Sequence, residues 1–192
     1  MTIITGGIGA GKSVVSRMLR LLGHKVFDCD YEAARIMSES ADVRKFVAEE
    51  FGEDHLEGEK GVNRNKIRET IFNDNIKRER LNRKVHHEVR NEIQSFIDMN
   101  GKRCFVESAI PATGGLLRFA DEVWIVDARE SLRIQRVDNR SHLSADTIKA
   151  IMATQQLEIE SVIKTGLPYA VLNNNDDGSL MGQLFACLTK MN

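Results

Sequence analysis

The chain is poor in the residues that mark special structural classes. Its 192 residues include only two prolines and three cysteines. Cys29, Cys104 and Cys187 lie far apart and form no C-x-x-C pair. That excludes a disulfide framework or a zinc ribbon and points to a reducing, cytoplasmic setting. No apolar run approaches the ~18 residues that a membrane span needs. Neither sign of charge dominates: 27 basic residues face 28 acidic ones, for a net charge of −1. Bulk electrostatics therefore gives no basis for nucleic-acid binding. There is no internal repeat and no low-complexity tract. The first strand candidate starts at Met1 and runs straight into a glycine-rich loop, so no signal or transit peptide is expected. What remains is an ordinary composition, 42% hydrophobic and 29% charged. It supports one well-packed domain with room for a small inserted subdomain.

The most informative stretch is Gly6-Gly7-Ile8-Gly9-Ala10-Gly11-Lys12-Ser13. It satisfies G-x-x-x-x-G-K-[ST] without a mismatch. Met1 to Thr5 before it reads as a short buried strand, and Ser13 to Leu22 after it as a helix ended by Gly23. Strand, loop and helix start are the setting in which this motif binds phosphate. Glycines let the backbone approach an anion closely. Successive N–H groups and the helix N-terminus then face the phosphate oxygens. Gly7, Ile8, Gly9, Ala10, Gly11, Lys12, Ser13 and Val14 are the expected nucleotide contacts. Lys12 is expected to reach the β- and γ-phosphates, and the Ser13 hydroxyl to hold Mg²⁺.

Four further strands are expected at Lys25 to Asp28, Arg103 to Glu107, Glu122 to Val126 and Tyr169 to Leu172. Those at 103–107 and 122–126 are nearly continuous apolar runs, as in a parallel sheet covered on both faces. In such sheets ligands gather at the carboxyl ends of strands. Asp30, just past the second strand, is therefore a candidate base, or else the N-cap of a helix starting near Tyr31. Glu107 and Asp127 each end a strand, and either suits the acidic group near the metal. Helices are expected at 31–37, 43–51, 65–72 and 75–99, with a polar loop over Gly52 to Val62. Leu81, Val85, Val89, Ile93 and Phe96 recur at helical spacing and form a core face. Asn82 and His86 share another face of that helix. The basic run Lys77 to Lys84 reads as a solvated face or an anion grip. Helix 130–139 aligns Arg133, Arg136 and Arg140 on one side. A polar break over Arg140 to Ser144 and a helix over 145–164 complete a candidate lid. The same arginines also suit a solvated face. A closing helix is expected over 179–188.

These residues resemble the dephospho-coenzyme A kinase family. The likeness is carried by Thr5 to Ser13, Leu22-Gly23, Asp28-Cys29-Asp30, Phe51-Gly52 and Gly61 to Arg64. It continues through Leu81-Asn82 with His86, Arg136-x-x-x-Arg140, Gln155 and Leu172 to Asn174. It implies an α/β, three-layer P-loop kinase fold with a five-stranded parallel sheet. A core of about 1–30, 101–135 and 166–192 would carry a helical acceptor-binding insertion (about 31–100) and a lid (about 136–165). The implied activity is transfer of phosphate from ATP, with Mg²⁺, to the ribose 3′-hydroxyl of dephospho-coenzyme A. By the resemblance Asp30 is the catalytic carboxylate, working with Lys12, Arg136 and Arg140. Arg64, Asn82, His86 and Glu107 lie on the acceptor side, and Asn174 near the adenine. A monomer or small homo-oligomer in the cytoplasm is expected, with no nucleic-acid or membrane partner. The chain departs from the pattern at Val14, His87, Pro111-Ala112-Thr113 and Arg133, the last standing where glutamine is frequent. Competing readings are another small P-loop kinase acting on a nucleoside, nucleotide or sugar, or a nucleotide-binding relative with impaired acceptor binding. A GTPase is disfavoured because no Asn-Lys-x-Asp occurs.

Overall fold

The apolar runs read from the sequence become the central strands of a five-stranded parallel sheet. The computed structural model describes residues 1–59, 61–101, 103–141 and 143–190. In chain order the elements are β1 (Thr2–Thr5), α1 (Lys12–Leu21), β2 (Val26–Asp28), α2 (Cys29–Glu39) and α3 (Ala41–Phe51). There follow β3 (Leu56–Glu57), β4 (Gly61–Val62), α4 (Arg64–Asn73), α5 (Asn75–Asn100) and β5 (Phe105–Glu107). The chain ends with β6 (Glu122–Asp127), α6 (Glu130–Ser141), α7 (Ala145–Lys164), β7 (Tyr169–Asn173) and α8 (Leu180–Lys190). His142, within the expected break between α6 and α7, lies outside the described residues. Among the described residues no helix is long and apolar enough to cross a membrane.

The chain divides into two compact units, Met1–Phe27 with Ile97–Asn192, and Asp28–Phe96. In the larger unit the strand order is β2-β5-β1-β6-β7. β1 is central, in parallel register with β5 (Ile4 opposite Glu107) and with β6 (Ile4 opposite Trp124). Every residue of β1 and β5 is buried, which explains their apolar, β-branched and aromatic content. Ile4, Val15, Leu19, Phe105, Trp124, Leu172 and Leu184 form one core cluster that joins α1, α8 and the sheet. Each large side chain so buried contributes about 1.5–3 kcal/mol. Trp124 is wholly buried, yet its indole N–H donates to Glu122 Oε1 at 3.0 Å, so its burial leaves no orphaned donor. The strand order reverses at β1, so the loop leaving β1 sits at a switch point of the sheet.

The smaller unit holds α2, α3, α4 and most of α5. Leu81, Val85, Val89 and Ile93 are the buried stripe of α5, as the spacing predicts. Phe96 is only half-buried. Arg35 ties α2 to α5 through Glu92 (3.1 Å) and also binds Glu32 (2.6 Å). The carboxylates of Glu32 and then Glu92 push its pKa upward. The polar loop expected over 52–62 is more ordered than the sequence suggests. It contains a 3-10 turn at Glu53–His55 and the antiparallel pair β3–β4. Two-residue strands are too short to show alternation, and the segment is held instead by side chains. Buried His55 meets Asp54 through Nδ1 (3.0 Å) and the Thr70 hydroxyl through Nε2 (2.8 Å).

Candidate active site

The segment between β1 and α1 forms a tight glycine loop. Gly11 takes φ 104° immediately before α1. The backbone conformation requires glycine, and a Cβ there would lie 2.1 Å from Asn174 Nδ2 and displace that amide. Gly7 and Ala10 are buried, Ile8, Gly9, Gly11 and Lys12 half-buried, and Ser13 and Val14 exposed in the first turn of α1. Lys12 folds back along the loop, its Nζ donating to Gly6 C=O at 2.8 Å and Gly7 C=O at 3.5 Å. The N–H groups in the first turn of a helix, together with its dipole, favour an anion at this end.

The outer polar groups of the loop are bonded by residues far away in the chain. Gln155 of α7 accepts from Ile8 N–H. Arg133 Nε donates to Ile8 C=O at 3.0 Å, and Arg136 to Gly9 C=O at 3.4 Å. Asn174, just past β7, donates to Ala10 C=O at 2.8 Å. Arg136 also donates to Asn174 C=O at 2.9 Å and pairs with Asp176 at 3.3 Å. Arg133 and Arg136 are therefore not a solvated face. Arg140, one turn further along α6, is exposed.

β1 is flanked by two strand-end carboxylates. Glu107 at the end of β5 is buried, with 8% of its surface exposed. Asp127 at the end of β6 is half-exposed and stands 3.7 Å from Arg133. Past β2, one of the two readings of Asp30 is corrected. The helix begins at Cys29 rather than near Tyr31, and its cap is Asp28, whose Oδ1 accepts from Asp30 N–H (3.1 Å) and Tyr31 N–H (3.0 Å). Asp30 sits in the first turn with its side chain exposed. The first turn and the cap look alike in sequence because aspartate suits both.

Within the smaller unit, Arg64, Asn82 and His86 line a single cavity of about 420 Å³. Its apolar lining comes from Ile67, Leu81 and Val85, which are buried, together with Met37 and Ile71. Arg64 donates to Ala34 C=O at 2.7 Å. Arg68 also lines the cavity and was missed in the sequence. Its spacing of four from Arg64 on one helix is the signal that marks it.

The loop Pro111-Ala112-Thr113 has a partner that sequence reading did not name. Buried Glu158 of α7 accepts from Ala112 N–H at 2.9 Å, from Thr113 N–H at 3.2 Å and from the Thr113 hydroxyl. No sequence signal links residues this far apart. Cys104 and Cys187 offer no nucleophile: burial pushes their thiols above the ordinary pKa, which keeps them protonated at neutral pH. Among the described residues no three His, Cys, Asp or Glu side chains group closely enough to hold a metal. Ser13, exposed in the first turn of α1, presents one hydroxyl oxygen beside the phosphate loop, and Mg²⁺ bound together with a phosphate needs only one or two protein oxygens.

The dephospho-CoA kinase family model matches residues 1–179. A dephospho-CoA kinase of Methylococcus capsulatus is 37% identical over 153 residues, covering 79% of this chain and 77% of that protein. A dephospho-CoA kinase of Porphyromonas gingivalis is 37% identical over 172 residues, covering 88% of this chain and 84% of its own length. A solved dephospho-CoA kinase from Campylobacter jejuni superposes with a TM-score of 0.70 at 21% identity, over 99% of this chain and 96% of that one. This last likeness speaks to the fold.

Proposed function

The chain belongs to the dephospho-CoA kinase family, and from that premise we propose how its residues divide the reaction between them. The activity is ATP-dependent phosphorylation of dephospho-CoA in coenzyme A biosynthesis, and the match over residues 1–179 carries that conclusion. The matches give no support to a nucleoside, nucleotide or sugar acceptor.

In the proposed mechanism the triphosphate of ATP lies on Gly7 to Val14, with Asn174 beside the adenine. The acceptor is held by Arg64, Asn82, His86 and Glu107. For Arg64, Asn82 and His86 the cavity in the smaller unit supports this reading, since it combines cationic and apolar walls suited to a molecule with a diphosphate and a long arm. Asp30 orients the ribose 3′-hydroxyl and accepts its proton. The hydroxyl oxygen forms the new P–O bond to the γ-phosphorus as the bond to the β,γ-bridging oxygen breaks, and ADP leaves. Lys12, Arg136 and Arg140 carry negative charge spread over the transferring group. Ser13 would hold Mg²⁺, which when bound neutralises charge on the β- and γ-phosphates. We infer a cytoplasmic location from the metabolic role.

The test is an ADP-release assay with dephospho-CoA, adenosine, gluconate, shikimate or water as acceptor. ADP release is expected only with dephospho-CoA, and the product should carry its new phosphate on the 3′-oxygen. Equal release with water alone would make the protein an ATPase and remove this assignment. The lid reading makes its own forecast. Arg140→Ala should lower kcat by about tenfold, because a cation over a transferring phosphoryl acts where charge develops. Arg129→Ala should change kcat little, since Arg129 is exposed and directed to Asp177 at 3.5 Å. Wild-type kcat in Arg140→Ala would leave Arg140 as a solvated charge.

A further inference from the structure

Arg133 is a buried guanidinium that the proposed chemistry does not use. Only 11% of its side chain is exposed. Burying a cation is costly unless its surroundings compensate it. Its surroundings are three consecutive residues of the phosphate loop and one carboxylate. Nε donates to Ile8 C=O at 3.0 Å. A Cβ on Gly7 would lie 1.9 Å from Nη2, so the guanidinium lies against the Gly7 Cα. A Cβ on Gly9 would meet the Arg133 backbone at 2.5 Å. Asp127 stands 3.7 Å from Nη1 and holds the guanidinium from the sheet side.

The geometry acts through the planar peptide. In a trans peptide the C=O of one residue and the N–H of the next point in opposite directions. Drawing Ile8 C=O outward to Arg133 therefore turns Gly9 N–H the other way. Arg136 on Gly9 C=O and Asn174 on Ala10 C=O restrain the next two peptide planes, and Ala10 N–H closes the turn onto Gly7 C=O at 3.1 Å. Without such ties a glycine-rich loop samples many conformers, and apparent affinity falls with the fraction in the competent one.

We propose that Arg133, anchored by Asp127, is a positioning residue that holds the phosphate loop in its anion-receiving form before nucleotide arrives. The proposal rests on the reading that this loop receives the phosphates of ATP. On this account Arg133 sets ATP affinity, leaves the chemical step nearly untouched and has no bearing on the acceptor. Asp127 belongs to the brace rather than to the metal.

The test compares Arg133→Ala, Arg133→Gln and Asp127→Asn by calorimetric binding of ADP and of adenosine, together with steady-state kinetics and melting. Arg133→Ala should weaken ADP by about tenfold, the scale of a lost charged hydrogen bond. Adenosine, which has no phosphate, should bind as in the wild type. KM for ATP should rise with the ADP constant, while kcat stays within about threefold and KM for dephospho-CoA is unchanged. Glutamine carries an N–H at the same bond count as arginine Nε, so Arg133→Gln should recover most of the ADP affinity. Asp127→Asn should weaken ADP in the wild-type background and have no effect in the Arg133→Gln background. That pair of measurements decides the matter even if Arg133→Ala fails to fold. Wild-type ADP affinity in Arg133→Ala, or equal losses for ADP and adenosine, would overturn the proposal. So would a hundredfold loss of kcat at unchanged KM, which would place Arg133 on the transferring group. An intact protein that binds neither ATP nor ADP would instead overturn the functional reading itself.

Discussion

Asp30→Asn is expected to lower kcat about a hundredfold or more while melting close to the wild type and binding ATP normally. General-base help is worth roughly 10²–10⁴ in rate, and a loose phosphoryl-transfer transition state draws on the lower part of that range. The structure makes the stability side of this forecast firmer. The cap of α2 is Asp28, which keeps both of its amide partners when Asp30 changes. Asp30 is exposed in the first turn, so neutralising it removes only a favourable charge near a helix N-terminus, about 0.3–1 kcal/mol. Asp28→Asn is the matched control. Asparagine caps as well as aspartate, so that variant should retain its fold and most of its activity. Kinetics and melting curves of the two proteins give the answer. An Asp30→Asn protein that melts early yet keeps its kcat once folded would reduce Asp30 to a structural role and leave the mechanism without a base.

Lys12→Ala should be as severe. Removing one preorganised donor from developing negative charge costs roughly 10²–10³ in kcat. Lys12 Nζ bonds Gly6 C=O at 2.8 Å, so its long side chain is held along the loop before substrate arrives. Alanine is a good helix former at the first position of α1, and the core residues Val15 and Leu19 are untouched, so folding should persist. Lys12→Arg should rescue poorly, because a planar fork does not replace a compact ammonium in a tight loop. Single-turnover rates with saturating ATP separate this from Arg133, whose loss should act on ATP binding rather than on the chemical step. A Lys12→Ala protein within about threefold of wild-type kcat would remove Lys12 from the catalytic group.

The two variants differ in how far their context could be read beforehand. Lys12 belongs to an eight-residue motif whose loop, flanking strand and helix are all local, so its neighbourhood followed from the sequence. Asp30 was equally visible, but its alternative role as a cap depended on where α2 begins. That is a matter of one or two residues, which propensity does not resolve. The structure moved the cap to Asp28. The hairpin of β3 and β4 was missed for a related reason: two-residue strands carry no period, and long-range side-chain contacts hold them.

By itself the sequence determined the phosphate loop, the five strands of the main sheet, the helices of the described residues at nearly their observed bounds, and the family. The loop, strands and helices rest on information within a few residues, such as apolar period, glycine and proline punctuation or a contiguous motif, and the family on an ordered series of such short matches along the chain. Only the tertiary structure decided what holds the loop in shape. Ile8 is bonded to Arg133 and Gln155, and Ala10 to Asn174, across separations of 125, 147 and 164 residues. It likewise gathered Arg64, Arg68, Asn82 and His86 from two helices around one cavity, and gave Glu158 the amides of Ala112 and Thr113. The physical reason is the same in each case. A hydrogen bond is satisfied at about 3 Å in space, whatever the distance along the chain. The pairing is therefore fixed by how the helices pack beside the strands, which no local pattern records.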